Sequence, residues 1–154
     1  MKTLVILSDT HHNFEAIKNL NTVMAESDYI IHLGDNSSDM KDYYKNYAEK
    51  MIAIDGNCDT GSEKEAFLEI EDRKILITHG DNFNVKTGPI KLASYAKEKG
   101  CDIVLFGHTH TPLIEEQNGI LFINPGCMTK YSLTKTYCYL VIHKEKAIAK
   151  IVEI

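Results

Sequence analysis

Seven residues able to bind metal ions fall in five short clusters: Asp9 with His11, Asp35, Asn57, His79, and His108 with His110. Imidazole and carboxylate donors suit Zn, Mn, Fe, Co or Ni, and carboxylate-rich sites also accept Mg. Seven donors are too many for one tetrahedral zinc. They match two divalent ions about 3.5–4 Å apart, a spacing typical of phosphatases and nucleases. A carboxylate is the natural bridge, because its two oxygens can each hold an ion. No cysteine belongs to the set, which argues against a structural zinc or iron–sulfur site.

Each cluster has a plainer reading by itself. Asp9-x-His11 after a strand is often only a turn, and Gly34-Asp35 and Gly56-Asn57 are turn pairs for backbone reasons. His79-Gly80 alone says little. Gly107-His108-Thr109-His110 is sharper, since two imidazoles on alternate residues after a buried strand have few structural uses. The combination carries the weight. Every cluster follows a predicted strand, at 4–7, 29–33, 51–54, 74–78 and 102–106. In open α/β sheets ligands bind outside the carboxyl ends of the strands, so the five clusters should meet at one edge. The other histidines read as structural: His32 as a satisfied strand residue, His143 as a solvated turn residue, and His12 as a neighbour of the site rather than a ligand.

The elements that must position these clusters alternate. Asn13 is predicted to cap a helix whose apolar positions are Phe14, Ile17, Leu20 and Met24. A polar stretch at 39–49 is predicted to be helical, and 66–70 is a further strand. Residues 89–99 read as a helix, with Pro89 in its first turn and Gly100 past its end. Asn118-Gly119 between apolar runs predicts a hairpin, and 136–143 with 147–154 predicts another. Strand–helix alternation in the first half implies a parallel sheet. The whole predicts an α/β protein of two packed sheets with helices outside.

The chain has 154 residues, consistent with a single domain over 1–154. That size buries about 68–70% of the unfolded surface, so neither a disulfide nor a structural metal is needed for folding. A formal net charge of −5 argues against strong nucleic-acid binding. It is compatible with a small nucleotide substrate, because bound metals supply local positive charge. Cys58, Cys101, Cys127 and Cys138 form no C-x-x-C pair and read as reduced thiols of a cytoplasmic protein. The apolar start at 4–7 is too short and too poorly flanked for a signal peptide. No stretch approaches the roughly 20 apolar residues of a membrane span.

As an ordered set, Asp9-x-His11, Gly34-Asp35, Gly56-Asn57, His79 and Gly107-His108-Thr109-His110 resembles the calcineurin-like metallophosphoesterases. Within them it looks like the small single-domain phosphodiesterases of bacteria and archaea. The similarity covers about 4–126. It implies a four-layer αββα sandwich, two mixed β-sheets flanked by helices. It puts Asp9, His11 and His110 on one metal, Asn57, His79 and His108 on the other, and Asp35 between them. It implies manganese or nickel as the favoured ions, with Mg2+, Zn2+, Fe2+ and Co2+ as alternatives. The reaction it implies is metal-activated hydroxide attack on the phosphorus of a small, nucleotide-derived diester, with Asn57, Cys58, Asp59 and His108 as the catalytic candidates.

Two departures stand out. The wider family usually carries a histidine after the motif asparagine, acting as general acid; here that position is Cys58. A thiol with an ordinary pKa near 8.5 is a poor proton donor to an alkoxide. The small phosphodiesterase branch shares this Gly-Asn-Cys-Asp form, and the role of Asp59 is open. Asn124-Pro125-Gly126 also resembles a family segment near the site, with Cys127 where serine is usual. Phe83, Lys130 and Tyr131 are candidate substrate contacts. A phosphomonoesterase with the same site, or a non-catalytic scaffold like the retromer subunit of this fold, are the alternatives; a nuclease fits the acidic balance poorly. No membrane association is expected, and homo-oligomerisation is left open.

Overall fold

The run Leu4–Leu7 is buried on both faces, as a central strand must be. In the computed structural model, which describes residues 1–154, this strand β1 (Lys2–Leu7) pairs in parallel with β2 (Tyr29–His32). On its other side it pairs antiparallel with β9 (Thr136–His143). With β3 (Met51–Ala53) and β10 (Lys146–Glu153), the order of this first sheet is β10-β9-β1-β2-β3. The second sheet holds β4 (Glu65–Ile70), β5 (Arg73–Thr78), β6 (Ile103–Leu105), β7 (Leu113–Gln117) and β8 (Ile120–Asn124) in the order β4-β5-β6-β8-β7. Both sheets are mixed: β1, β2 and β3 run parallel, as do β5, β6 and β8, and the outer pairs are antiparallel.

The layers follow from which side chains each strand turns inward. Leu4, Ile6, Ile31, Ile75, Ile77, Ile103, Leu105 and Leu140 form one buried cluster between the sheets. Val5 and Leu7, pointing the other way, pack on Ile17, Leu20 and Met24 of the helical layer made by α1 (Phe14–Lys18) and α2 (Asn21–Glu26). On the far side Leu76, Val104 and Phe122 pack on Leu92 and Ala96 of α4 (Ile90–Glu98). The predicted αββα sandwich is the observed architecture.

Some boundaries differ from the sequence expectation. The single helix predicted after Asn13 is two, broken at Asn19 and Leu20. There the Leu20 N–H bonds to Ile17 O, three residues back, which tightens the turn. Short polar Asn19, Asn21 and Thr22 favour the helix weakly at this point. Asn13 does cap α1, accepting from the Ala16 N–H at 3.3 Å, but Phe14 is exposed rather than core. The stretch 39–49 is α-helical only over α3 (Lys41–Tyr47), between 3-10 turns. At the predicted β7–β8 hairpin Asn118 (φ 50°) and Gly119 (φ 79°) both adopt positive φ, as its tight turn requires.

Candidate metal centre

At the ends of the inner strands the backbone turns into the left-handed region. Five of the seven candidate ligands have positive φ: Asp9, His11, Asp35, His108 and His110. Such a conformation costs a non-glycine residue of order 1 kcal/mol or more, and it concentrates at functional sites. Gly34 (φ 98°) and Gly56 lie back to back: a Cβ on Gly34 would sit 2.5 Å from the Gly56 nitrogen, and one on Gly56 would collide with the Asp35 carboxylate. Both positions need glycine for the second and third clusters to approach each other.

The side chains meet in two groups that share one member. Ligand atoms of Asp9, His11, Asp35 and His110 lie within 4.8 Å of one another, as do those of Asp35, His79 and His108. His110 Nε2 is 3.0 Å from Asp9 Oδ1, and His11 Nε2 is 3.7 Å from Asp35 Oδ2. In the second group His79 Nε2 is 3.2 Å from His108 Nδ1, 3.4 Å from Asp35 Oδ1 and 3.1 Å from Asn57 Oδ1. All seven sequence-predicted ligands are thus brought together, Asn57 through His79.

The donor chemistry is what a cation requires. His79 Nδ1 lies 2.8 Å from the carbonyl oxygen of Leu33, which can only accept, so Nδ1 carries the proton. Its Nε2 faces the Asp35 carboxylate, the Asn57 carbonyl and a second imidazole. Burial pushes the ring's pKa down, but the hydrogen bond to Asp35 and the Asp9 charge outweigh it and push it up, so a cation binding here would take the place of a proton on Nε2. Lone pairs crowd one buried spot from several sides, which a divalent ion between them would satisfy. Asp9 is wholly buried and Asp35 is 3% exposed. Burial pushes the Asp35 carboxyl up, but the adjoining His79 ring and the Cys58 N–H outweigh it and hold the group well below the usual carboxylate range. The Asp9 carboxylate beside His110 pushes that imidazole up, against its partial burial.

The catalytic candidates divide. Asn57 and His108 face the cluster. Cys58 is exposed beside it, and its N–H donates to Asp35 Oδ1 at 2.9 Å. Burial around the thiol and then the Asp35 charge push the Cys58 pKa up, further from a useful acid. Asp59 accepts four backbone N–H bonds, from Asp35 (2.8 Å) and Gly56 (2.8 Å) on Oδ2 and from Asn36 (2.9 Å) and Ser37 (3.1 Å) on Oδ1. Its lone pairs are filled, so Asp59 ties the Asp35 and Asn57 loops together and is not free to meet a reacting group.

Sequence reasoning missed the groups behind the cluster. Ser8 Oγ donates to Asp9 Oδ2 at 2.5 Å, leaving Oδ1 toward His110. Asp39 holds the Thr10 hydroxyl at 2.7 Å, the His12 N–H at 2.8 Å and His12 Nδ1 at 2.8 Å. No spacing marked Asp39, because it acts through a 3-10 turn that the pattern did not show. His12 is therefore tied back to Asp39, in keeping with its reading as a non-ligand. His32, read as a satisfied strand residue, is one: Nδ1 accepts from the Gly34 N–H at 3.1 Å and Nε2 meets Thr10 Oγ1 at 3.0 Å. Of the candidate substrate contacts only Tyr131 adjoins the cluster, in a groove with His11 and His110. Phe83 stacks on Tyr95 at 4.9 Å, and Lys130 lines a separate depression with Asn13 and Glu15.

Complete burial pushes the His32 pKa down to about 4. The unfolded chain takes up its proton near pH 6.5, so between these values the unfolded state binds more protons and stability falls as pH falls. The loss from this residue is about 3 kcal/mol by pH 4. His32→Gln, which cannot titrate, should show a shallower decline in melting temperature from pH 6.5 to 4 than the parent; parallel declines would rule this out.

Comparison with known proteins agrees with this geometry. Residues 1–147 match the calcineurin-like phosphoesterase superfamily domain. A probable metallophosphoesterase of Methanocaldococcus jannaschii is 38% identical over 129 residues, covering 80% of this chain and 67% of the relative. A phosphodiesterase of the same organism is 30% identical over 140 residues, covering 79% and 81%. Among solved structures, a predicted phosphoesterase of Streptococcus pneumoniae superposes with a TM-score of 0.82 at 23% identity, over 99% of this chain and 89% of the other. The zinc complex of Vps29 from Entamoeba histolytica has the same fold, with a TM-score of 0.78 at 19% identity over 98% of each chain. No helix is long and apolar enough to cross a membrane. The chain belongs to the calcineurin-like phosphoesterase superfamily.

Proposed function

We propose that this member of the calcineurin-like phosphoesterase superfamily hydrolyses phosphate esters, small nucleotide-derived diesters foremost, at a site where Asp35 joins two divalent cations. The observation that carries this reading is the pair of ligand groups sharing Asp35. Asp9, His11 and His110 would hold one ion, Asn57, His79 and His108 the other, with manganese or nickel favoured. Ions so held lower the pKa of bound water and offset charge developing on phosphoryl oxygens. The protein's own part is positional. The Leu33 carbonyl fixes the His79 tautomer, Ser8 turns one Asp9 oxygen toward His110, and Asp59 sets the spacing of the Asp35 and Asn57 loops. Preference for diesters rests on the phosphodiesterase relative. Four free cysteines, three of them buried, support a cytoplasmic location for a protein acting as one domain.

The test is to strip the protein with a chelator and restore Mn2+, Ni2+, Mg2+ or Zn2+ singly. Metal-restored cleavage of an aryl phosphodiester above the matching monoester supports the reading. Saturating Mn2+ should also raise the melting temperature by about 5 °C or more. Metal binding without cleavage of either ester favours the second reading, a scaffold, for which the shared fold with Vps29 is the supporting observation. Retention of all seven donors weighs against it.

Cys58 sets a further expectation. With no effective acid at this position, leaving groups must depart with little proton donation. Cys58→His should raise kcat/KM for alkyl diesters about tenfold or more, and for activated aryl diesters far less. An equal gain on both would remove Cys58 from the argument.

A further inference from the structure

Beside the cluster a groove of about 420 Å³ is lined by His11 and His110 on one side and by Cys127, Thr129, Tyr131 and Ser132 on the other. Its size falls within the range of small-molecule sites. The loop that forms the second wall is pinned at both ends. Met128 N–H donates to Asp9 O, Asn13 Nδ2 donates to Met128 O at 2.8 Å, and Thr136 N–H donates to Cys127 O. Between these anchors the backbone is turned by the Ser132 N–H on Thr129 O and the Ser132 hydroxyl on Thr134 O. The result is an aromatic ring with nothing over it: Tyr131 is 96% exposed, on a fixed loop next to two candidate metal ligands.

We propose that this groove is the subsite for the base of a nucleotide ester, with Tyr131 as the stacking platform. The inference rests on the phosphoesterase reading, since it needs the phosphate to lie at the Asp35 cluster. Two features favour a heteroaromatic ring over an aliphatic group, and a third argues against a second phosphate. A tyrosine face is sequence-tolerant toward any base and contributes most when one of its faces is open. Thr129 and Ser132 place hydroxyl oxygens in the same wall; the Ser132 hydroxyl, which donates to Thr134 O, can still accept from an amino group at the polar edge of a base. The groove contains no lysine or arginine, so it does not hold a second phosphate; Lys130 lines the depression on Asn13 and Glu15 instead. Tyr131 is thus a specificity residue that touches substrate, one step outside the metal ligands.

The chain has no tryptophan, so Tyr131→Trp introduces a single indole reporter. With the protein loaded with Mn2+, adenosine monophosphate should quench that emission and ribose phosphate should not. Calorimetric titration of the parent and of Tyr131→Ala completes the test. The alanine variant should bind adenosine monophosphate about fivefold more weakly or worse and ribose phosphate unchanged. If both ligands bind the parent alike, or the alanine variant loses nothing, the base subsite is wrong while the phosphate site stands. If neither ligand binds the Mn2+-loaded parent, the phosphoesterase reading fails and the subsite with it.

Discussion

Asp35→Asn is expected to lower metal-restored diester hydrolysis by about a thousandfold or more, the effect of withdrawing roughly 4 kcal/mol of stabilisation from the transition state. The substitution keeps the volume and one acceptor oxygen. It removes the charge and replaces one oxygen with an NH2, which offers hydrogens where the His11 or His79 nitrogen now faces a lone pair. Because Asp35 is the only residue common to both ligand groups, its loss affects both ions at once, whereas any other ligand belongs to one. The apo protein should also respond. Burial disfavours the Asp35 carboxylate, but the His79 ring and the Cys58 N–H outweigh it in the fold, so the charge contributes stability at neutral pH even without a cation. The variant without metal should melt a few degrees below the parent while remaining folded, and its melting temperature should rise far less on adding Mn2+. A variant that keeps most of its activity would exclude Asp35 as the bridge; one that is already unfolded without metal would make it a structural residue.

The layers were legible because hydrophobic patterning reports burial directly. Residues 4–7 read as a continuous apolar run, the buried part of a parallel strand, and the strand read at 74–78 carries the buried apolar residues Ile75, Leu76 and Ile77. Asn118-Gly119 marked its hairpin because two consecutive positive φ values leave few other choices. Helix limits were less legible. Phe14 has the right spacing for the apolar face, yet it stands at the first turn with no layer above it to cover the ring. The break at Leu20 falls among the weak helix formers Asn19, Asn21 and Thr22, which leave the apolar spacing intact and so are not marked by periodicity.

For the centre itself the ligand types could be read off, since metal-competent side chains at five strand ends have one place to meet. The supporting groups could not. Ser8 and Asp39 are ordinary polar residues in sequence, and their work appears only when Ser8 reaches Asp9 Oδ2 and Asp39 reaches the loop of Thr10 and His12. The role of Asp59, open in the sequence, was illegible for a related reason. A carboxylate next to a motif asparagine invites a chemical role, while the bonds that occupy it come from the backbone, which sequence patterns do not show.

That distinction makes Asp59 the second large expectation. Asp59→Ala removes the acceptor of four N–H groups in two loops. Those N–H groups are partly buried, and hydrogen bonds to a charged acceptor contribute about 1.5–3 kcal/mol each before solvent and relaxation recover some of it. A net loss of about 2–4 kcal/mol is expected, lowering the melting temperature by about 5–10 °C. Metal affinity should fall by about 10–100-fold, as when groups that orient ligands are removed. Asp59→Asn should lie between the parent and the alanine variant, because one amide oxygen still accepts while the NH2 opposes the remaining donors. Isothermal titration with Mn2+, thermal denaturation and kcat at saturating metal separate the roles. A residue that positions loses stability and metal affinity, and much of its kcat returns at high metal concentration. A residue that transfers a proton loses kcat at every metal concentration, with stability and affinity intact. The four filled lone pairs commit Asp59 to the first pattern, and observation of the second would return it to the reacting group.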